Sequence, residues 1–250
     1  MKDRIKEIPI IGKIGLQLYC KIMEYKTIPM FFPGSKKYWE DRYSVGGNSG
    51  AGSYNKLALF KAEVVNNFVA EHDVNSVIEF GCGDGNQLKL AEYPYYTGFD
   101  VSETAVLLCR KKFSSDENKR FRHLRDYNSE TADLSLSLDV IYHLVEDFVY
   151  HEYMSTLFKS ARKYVIIYSS NTTQNSLCQC AHVKHRKFTT WIKKNKPGWK
   201  LTEQVPNKYP YTGDFRKGSF AEFYIFEKAP VVVSKHSNKT ARCPEIQPVT

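Results

Sequence analysis

The chain has 250 residues, 42% hydrophobic and 25% charged, the balance of an ordinary soluble globular protein. That length suits one α/β domain with added segments, or at most two small domains. The formal net charge is +9, yet the basic residues fall in short groups at 110–112, 119–125, 184–187 and 193–200 with no long basic arm, so a solvated basic surface is the plainest reading.

Six cysteines are present: Cys20, Cys82, Cys109, Cys178, Cys180 and Cys243. Cys82 sits inside a glycine turn and Cys109 on a predicted helix, so neither suggests a disulfide framework. The N-terminus carries Asp3 and Glu7 and lacks a small-residue cleavage site, so no signal peptide is evident. A reduced, cytoplasmic compartment is the expectation.

Ile11, Ile14, Leu18 and Ile22 recur at helical spacing, with Lys13, Lys21 and Lys26 elsewhere on the turn. Residues 1–30 therefore read as a helix that packs on the domain or on a partner, with contact to a membrane surface through the basic flank as the alternative. The stretch is too short, and too interrupted by Lys13, to span a bilayer. Residues 33–54 hold four glycines between 46 and 52, together with Trp39, Tyr43 and Tyr54. This segment is expected to form neither helix nor strand and to act as a lid, hinged by its glycines, with Tyr43 or Trp39 as the covering ring.

From Asn55, the residues Leu57, Phe60, Val64, Val65 and Phe68 share one helical face. Val77, Ile78 and Phe80 form a short apolar strand, and Gly81, Gly83 and Gly85 follow at once. Asn86 to Ala91 reads as the start of a helix. Tyr96–Phe99 is a second strand, ended by Asp100. Ser102 is a plausible N-cap for a helix running to about Lys112. Further strands are expected at 120–124, Ala132–Val140 and Tyr164–Ser169, with a helix over Phe148–Ser160. A polar loop over 171–184 and a short helix over 185–195 precede Leu201–Val205 and Phe220–Glu227, which can pair as a hairpin. Residues 229–250 lack a periodic pattern and read as a loose tail. The expected fold class is α/β: a Rossmann-like, seven-stranded, mostly parallel sheet with helices on both faces and an antiparallel C-terminal hairpin. Three segments follow: 1–54 as helical segment and lid, 55–228 as the ligand-binding domain, and 229–250 as tail.

In open α/β sheets, ligands bind beyond the carboxyl ends of the strands. The residues to consider are Gly81–Gly85, Asp100-Val101, Asp126-Tyr127, Ser137–His143 and Ser169–Asn171. A strand, a glycine turn and a second strand ending in a carboxylate make a nucleoside-binding half-fold, and the carboxylate suits the two hydroxyls of a ribose. A dinucleotide fingerprint needs glycine at 86, where the chain has Asn86, so a nicotinamide oxidoreductase is disfavoured.

Leu138-Asp139-Val140-Ile141-Tyr142-His143 follows the fourth strand. Asp139 is expected to cap or to pair. His143, beside Tyr142, is a candidate base, because imidazole titrates in the useful range. His185 is the second candidate base. His182, Lys184, His185, Arg186 and Lys187 together could hold a phosphate on a substrate. Cys178-x-Cys180-x-His182-x-x-His185 is tighter than the usual zinc spacings, so no metal is expected. The chain has no G-x-S-x-G elbow and no P-loop.

The pattern Glu79-x-Gly81-x-Gly83-x-Gly85 resembles motif I of the Rossmann-like S-adenosylmethionine (SAM) methyltransferases, and the stretch at Asp100 resembles their second motif. The resemblance implies that Glu79 lies near the amino-acid end of SAM and that the glycines, with Cys82, pass under the cofactor. It further implies that Asp100 and Val101 meet the ribose, that Asp126 and Tyr127 meet the adenine, and that Leu138 lies near the methyl. The Asn/Asp-Pro-Pro-aromatic tetrapeptide of amino-methylating DNA enzymes is absent after the fourth strand, as is a Pro-Cys nucleophile.

Phe32-Pro33-Gly34-Ser35, Tyr38-Trp39-x-x-Arg42-Tyr43, the Gly46–Gly52 loop, Ile78–Leu88, Leu136–Glu146 and Val165–Asn171 resemble a bacterial group of small methyltransferases. That group is associated with surface-polysaccharide and other small-molecule biosynthesis, and the resemblance covers roughly residues 31–228. It implies methylation of an O or N atom on a small polar acceptor, such as a saccharide or a phosphorylated glycan precursor. Two other readings stand beside it: an RNA methyltransferase, motivated by the net charge and the basic cluster at 184–200, and a non-catalytic scaffold with the methyltransferase fold.

Overall fold

The computed structural model describes residues 32–176 and 179–230. The helix expected within residues 1–30, Cys178, and the tail beyond residue 230 lie outside the described residues.

Five strands run parallel: β1 (Ser76–Phe80), β2 (Tyr95–Asp100), β3 (Lys119–His123), β4 (Ala132–Leu138) and β5 (Ala161–Ser169). With β6 (Trp199–Val205) and β7 (Glu222–Lys228) they form one seven-stranded sheet in the order β3-β2-β1-β4-β5-β7-β6. β7 slots between β5 and β6 and is antiparallel to both. The C-terminal hairpin therefore forms as expected, and β6 at the edge runs with the parallel strands.

The helices are α1 (Ser35–Ser44), α2 (Asn55–Glu71), α3 (Glu103–Lys112), α4 (Asp147–Lys159) and α5 (Phe188–Asn195). Alternation along the strands decides which face each helix covers. Val77, Tyr96, Leu134, Leu136 and Ile166 pack with Phe60, Val65 and Phe68 of α2 and with Val106 and Cys109 of α3. Ile78, Phe80, Phe99, Val165 and Ile167 pack on the other face with Tyr153, Met154 and Leu157 of α4 and with Phe188 and Ile192 of α5. Every residue of β4 is buried, as befits a central strand covered on both sides. Among the described residues, no helix is long and apolar enough to cross a membrane.

Two expected elements differ. Residues 33–54 are not devoid of regular structure, because Ser35–Ser44 is a ten-residue helix and Ala51–Ser53 a 3-10 turn. Gly34 precedes the helix and the next glycine is Gly46, so the helical stretch between them holds neither glycine nor proline. Lys37 and Asp41 pair along α1 at 2.8 Å, worth a few tenths of a kcal/mol. Tertiary contacts then fix the helix. The Ser35 N–H donates to Glu146 at 2.8 Å and the Thr104 hydroxyl to Glu40 at 2.6 Å. The second difference is at Asn86–Ala91, which gives only the 3-10 turn Gln87–Leu90. Pro94 and the start of β2 at Tyr95 leave little chain for a helix. α2 already covers this face, where Gln87 donates to the Ala58 carbonyl and Asn66 to the Leu90 carbonyl. The helix expected from 185 begins at Phe188.

Candidate active site at the glycine turn

The strand order reverses between β1 and β4, which are neighbours although β2 and β3 lie between them in sequence. The glycine turn follows β1 at this point, where open α/β sheets leave a crevice. Gly81 has φ +92°, and a Cβ there would lie 2.4 Å from a Val140 methyl. Gly83 has φ +57°, and a Cβ there would lie 2.3 Å from Ser49 Oγ and 3.0 Å from the Tyr43 hydroxyl. Both the left-handed backbone and the close approach require glycine.

The Asp100 carboxylate ends β2 beside this turn and is 6% exposed. The N–H groups of Gly83 and Ser102 each donate to it at 2.9 Å, one per oxygen. An ionised carboxylate has about four acceptor positions, so capacity for further donors is left. Burial pushes the Asp100 pKa up to about 6, against the opposing pull of these backbone N–H groups. Ser102 caps α3 as expected, accepting from the Ala105 N–H at 3.1 Å. Glu79 faces the same side of the sheet as Val77. Burial pushes its pKa up to about 7, although the Tyr96 hydroxyl donates to it at 2.5 Å.

The segment from α1 to Tyr54 is laid over this turn. Asp84 is the anchor. Its carboxylate accepts from the Ser49 N–H at 3.0 Å and from the Tyr54 hydroxyl at 2.8 Å, and its own N–H donates to Ser49 Oγ at 2.9 Å. Asn86 donates to the Ser53 carbonyl at 2.7 Å. Tyr43 is buried with its hydroxyl 3.0 Å from Ser49 Oγ. The chain folds back at Gly46 (φ +81°) and Gly50 (φ +85°).

At the end of β4, Asp139 takes φ +61°, unusual for a residue with a side chain. Its carboxylate accepts from Lys61 Nζ at 2.6 Å and from the Tyr142 hydroxyl at 2.6 Å. His143 follows on the 3-10 turn Ile141–His143. His143 Nδ1 lies 3.0 Å from the His182 carbonyl, which can only accept, so Nδ1 carries the proton and Nε2 keeps a lone pair. Burial lowers the His143 pKa to about 4, so the ring is neutral near pH 7. The His182 ring stacks on His143 at 5.2 Å and on Tyr38 at 4.4 Å, and Trp39 meets His143 edge-on at 4.9 Å. α1 thus touches both the glycine turn, through Tyr43, and the histidine pair. His185 is half-buried, with Nδ1 2.6 Å from Ser170 Oγ and its ring 6.2 Å from that of Tyr142.

Most of the sequence-derived site is therefore contiguous: Glu79, Gly81, Cys82, Gly83, Gly85, Asp100 and Tyr43 surround the turn, and Leu138, Tyr142 and His143 close the β4 side. Val101 follows Asp100 directly and is half-buried. Asp126 and Tyr127 follow β3, beside the ends of β1 and β2. Asp126 is exposed, with Arg125 at 3.8 Å. The Tyr127 ring packs edge-on against Phe80 and Phe99, and its hydroxyl donates to the Glu130 carbonyl. Sequence reasoning missed Lys61, Ser49, Asp84 and Glu146. Lys61 had a visible signal, a lysine in register with Leu57 and Val65 on the apolar face of α2. The other three act through contacts 30 or more residues away, which local patterns do not carry.

Residues 78–165 match the family model described as methyltransferase domain. The chain carries a methyltransferase domain. SAM is the cofactor of that domain. The methyltransferase fold is shared with three solved structures. N-methyltransferase NodS from Bradyrhizobium japonicum WM9, in complex with S-adenosyl-L-homocysteine (SAH), is 15% identical with a TM-score of 0.61, over 78% of this chain and 98% of that one. Magnesium protoporphyrin IX methyltransferase (ChlM) from Synechocystis PCC 6803, with bound SAM, is 14% identical with a TM-score of 0.58, over 80% and 100%. The methyltransferase domain of bacterial CtHen1 is 20% identical with a TM-score of 0.53, over 68% and 97%. At these identities the likeness is one of fold. No curated protein matches the chain by sequence.

Gly81 and Gly83 let the turn pass close against Val140, Ser49 and Tyr43, and the buried Asp100 carboxylate beside it keeps acceptor capacity for hydroxyl donors.

Proposed function

We propose that the chain transfers a methyl group from SAM to an O or N atom of a small polar acceptor, a saccharide or phosphorylated glycan precursor. The observation that carries this reading is the Asp100 carboxylate, pinned by the Gly83 and Ser102 N–H groups against a turn of positive-φ glycines. Asp100 accepts the ribose hydroxyls, Glu79 lies toward the amino-acid end, and the turn from Gly81 to Gly85, with Cys82, carries the backbone under the ligand. Residues 55–228 are the catalytic domain, and 35–54 are its lid, with Tyr43 and Trp39 the rings that exclude water.

SAM supplies a methyl group on a positively charged sulfur, open to attack by a lone pair. The chain's own part is to hold the acceptor in line with it, which provides most of the rate in such transfers. The Nε2 lone pair of the neutral His143 accepts a hydrogen bond from the acceptor O–H or N–H and orients it. Its low basicity suits orientation better than full proton removal. His185, joined to Ser170, is the second group able to take the proton. Tyr142, tied to Asp139, supplies the wall between the two histidines.

Tritium-labelled methyl transfer from SAM, assayed in parallel on hexose phosphates, free hexoses and short RNAs, tests the reading. Label on a hexose or its phosphate is expected, lost in Asp100→Ala. Label only on RNA, with binding that falls steeply with salt, would replace this acceptor class with the polyanion.

A further inference from the structure

A cleft of about 720 Å³ opens between α4 and α5, on the sheet face away from α2 and α3. His185 forms part of its wall, so the cleft adjoins the β4 end of the candidate active site. Its lining includes His151, His185, Arg186, Lys187 and Lys194, and no Asp or Glu. Arg186 is engaged, bonded to Asp147 and to the Leu144 and Val145 carbonyls. Lys187 and Lys194 are exposed and form no ion pair with the described residues. Two uncompensated cations therefore face one cavity.

The aromatic wall adds a second requirement on the ligand. Trp191 Nε1 donates to His151 Nδ1 at 2.6 Å, with the rings 6.0 Å apart. An indole N–H can only donate, so His151 Nδ1 is the acceptor and the proton of the neutral imidazole sits on Nε2. His151 thus offers a donor, alongside the two lysines. Trp191 is half-buried and Tyr150 lies behind it at 6.1 Å. Donors and cations on one side and aromatic rings on the other suit an anionic group carried on a sugar ring.

We infer that this cleft binds the phosphate end of a phosphorylated hexose, with Lys187, Lys194 and His151 on the phosphate and Trp191 against the ring. The inference gives the acceptor class for the methyltransferase reading above and rests on it. The placement leaves the hexose hydroxyls toward His185 and the β4 end.

The test is calorimetric titration of the full chain with glucose 1-phosphate, glucose and a short single-stranded RNA, alongside SAH. Glucose 1-phosphate is expected to bind, glucose to bind at least about tenfold more weakly, and the doubly substituted Lys187→Gln/Lys194→Gln chain to lose glucose 1-phosphate affinity by about tenfold or more. Both lysines are exposed, so folding is not at risk, and unchanged SAH affinity in the double variant confirms an intact domain. SAH binding with no glucose 1-phosphate binding, or equal affinity in the double variant, overturns the cleft assignment alone. Salt-steep RNA binding that needs the two lysines, with none of the sugar phosphate, also overturns it. Loss of SAH binding by the native chain overturns the methyltransferase reading instead.

Discussion

Lys61 Nζ lies 2.6 Å from Asp139 Oδ2, linking the middle of α2 to the end of β4. Lys61 is 1% exposed, so this is a buried pair rather than a surface one. Its ammonium also stands 5.4 Å from the Tyr168 ring centre. The pair holds Asp139 in its left-handed conformation, and Asp139 in turn holds the Tyr142 hydroxyl. Removing one partner of a buried pair leaves an uncompensated charge, a cost of about 3–5 kcal/mol. Lys61→Met is therefore expected to lower stability by about 3 kcal/mol in urea unfolding. Lys61→Met/Asp139→Asn should recover part of that loss, and strictly additive losses would show that the two residues are not coupled.

Gly83→Ala tests the contact between Ser49 and the turn. The new methyl group meets Ser49 Oγ at 2.3 Å on a backbone with φ +57°. The backbone strain alone costs about 1–2 kcal/mol. Weaker SAH binding and a lower melting temperature are expected, and Gly83→Ala/Ser49→Ala should regain part of the affinity. No rescue would mean that strain, rather than the Ser49 contact, carries the effect.

The Asp100 carboxylate sets a pH dependence of cofactor binding. Its pKa in the free protein is about 6, so it is mostly ionised at pH 7.0 and increasingly protonated below 6. Hydroxyl donors favour the ionised form, so SAH affinity should hold above about pH 6 and fall as the pH drops toward 5. Asp100→Asn should bind more weakly at pH 7 and show a flatter profile. Titration calorimetry across that range reads both effects.

His143 predicts the opposite of an ordinary histidine profile. Its folded pKa of about 4 lies below the usual 6.5, so the folded chain takes up this proton later than the unfolded one. Its contribution to stability is full above about pH 6.5 and declines as the pH falls from there toward 4. His143→Gln should therefore show a flatter loss of melting temperature between pH 6.5 and 4.5 than the native chain. In a pH–rate profile the native enzyme should show no acid limb near 6.5 from this residue. A limb there that disappears in His143→Gln would contradict the neutral buried ring.

The sheet was legible because β1, β2, β4 and β5 are short apolar runs with turn residues between them, and burial on both faces leaves such runs little choice. The glycine turn beside a buried carboxylate was legible because Glu79, the glycines and Asp100 lie within 22 residues of one another in sequence. α1 is not legible locally, because its anchors, Glu146 and Thr104, lie more than 60 residues away in sequence. The histidine stack combines residues 38, 143 and 182 from three separate segments, and no local periodicity encodes it.

The central claim is that the turn at Gly81–Gly85, with Asp100, holds SAM. Titration of the native chain and of Asp100→Ala with SAH tests it most directly. The native chain is expected to bind at sub-millimolar concentration, and Asp100→Ala to lose about 1–3 kcal/mol, the usual cost of removing hydrogen bonds to a charged group. No binding by the native chain, or equal affinity in the two, would contradict the account.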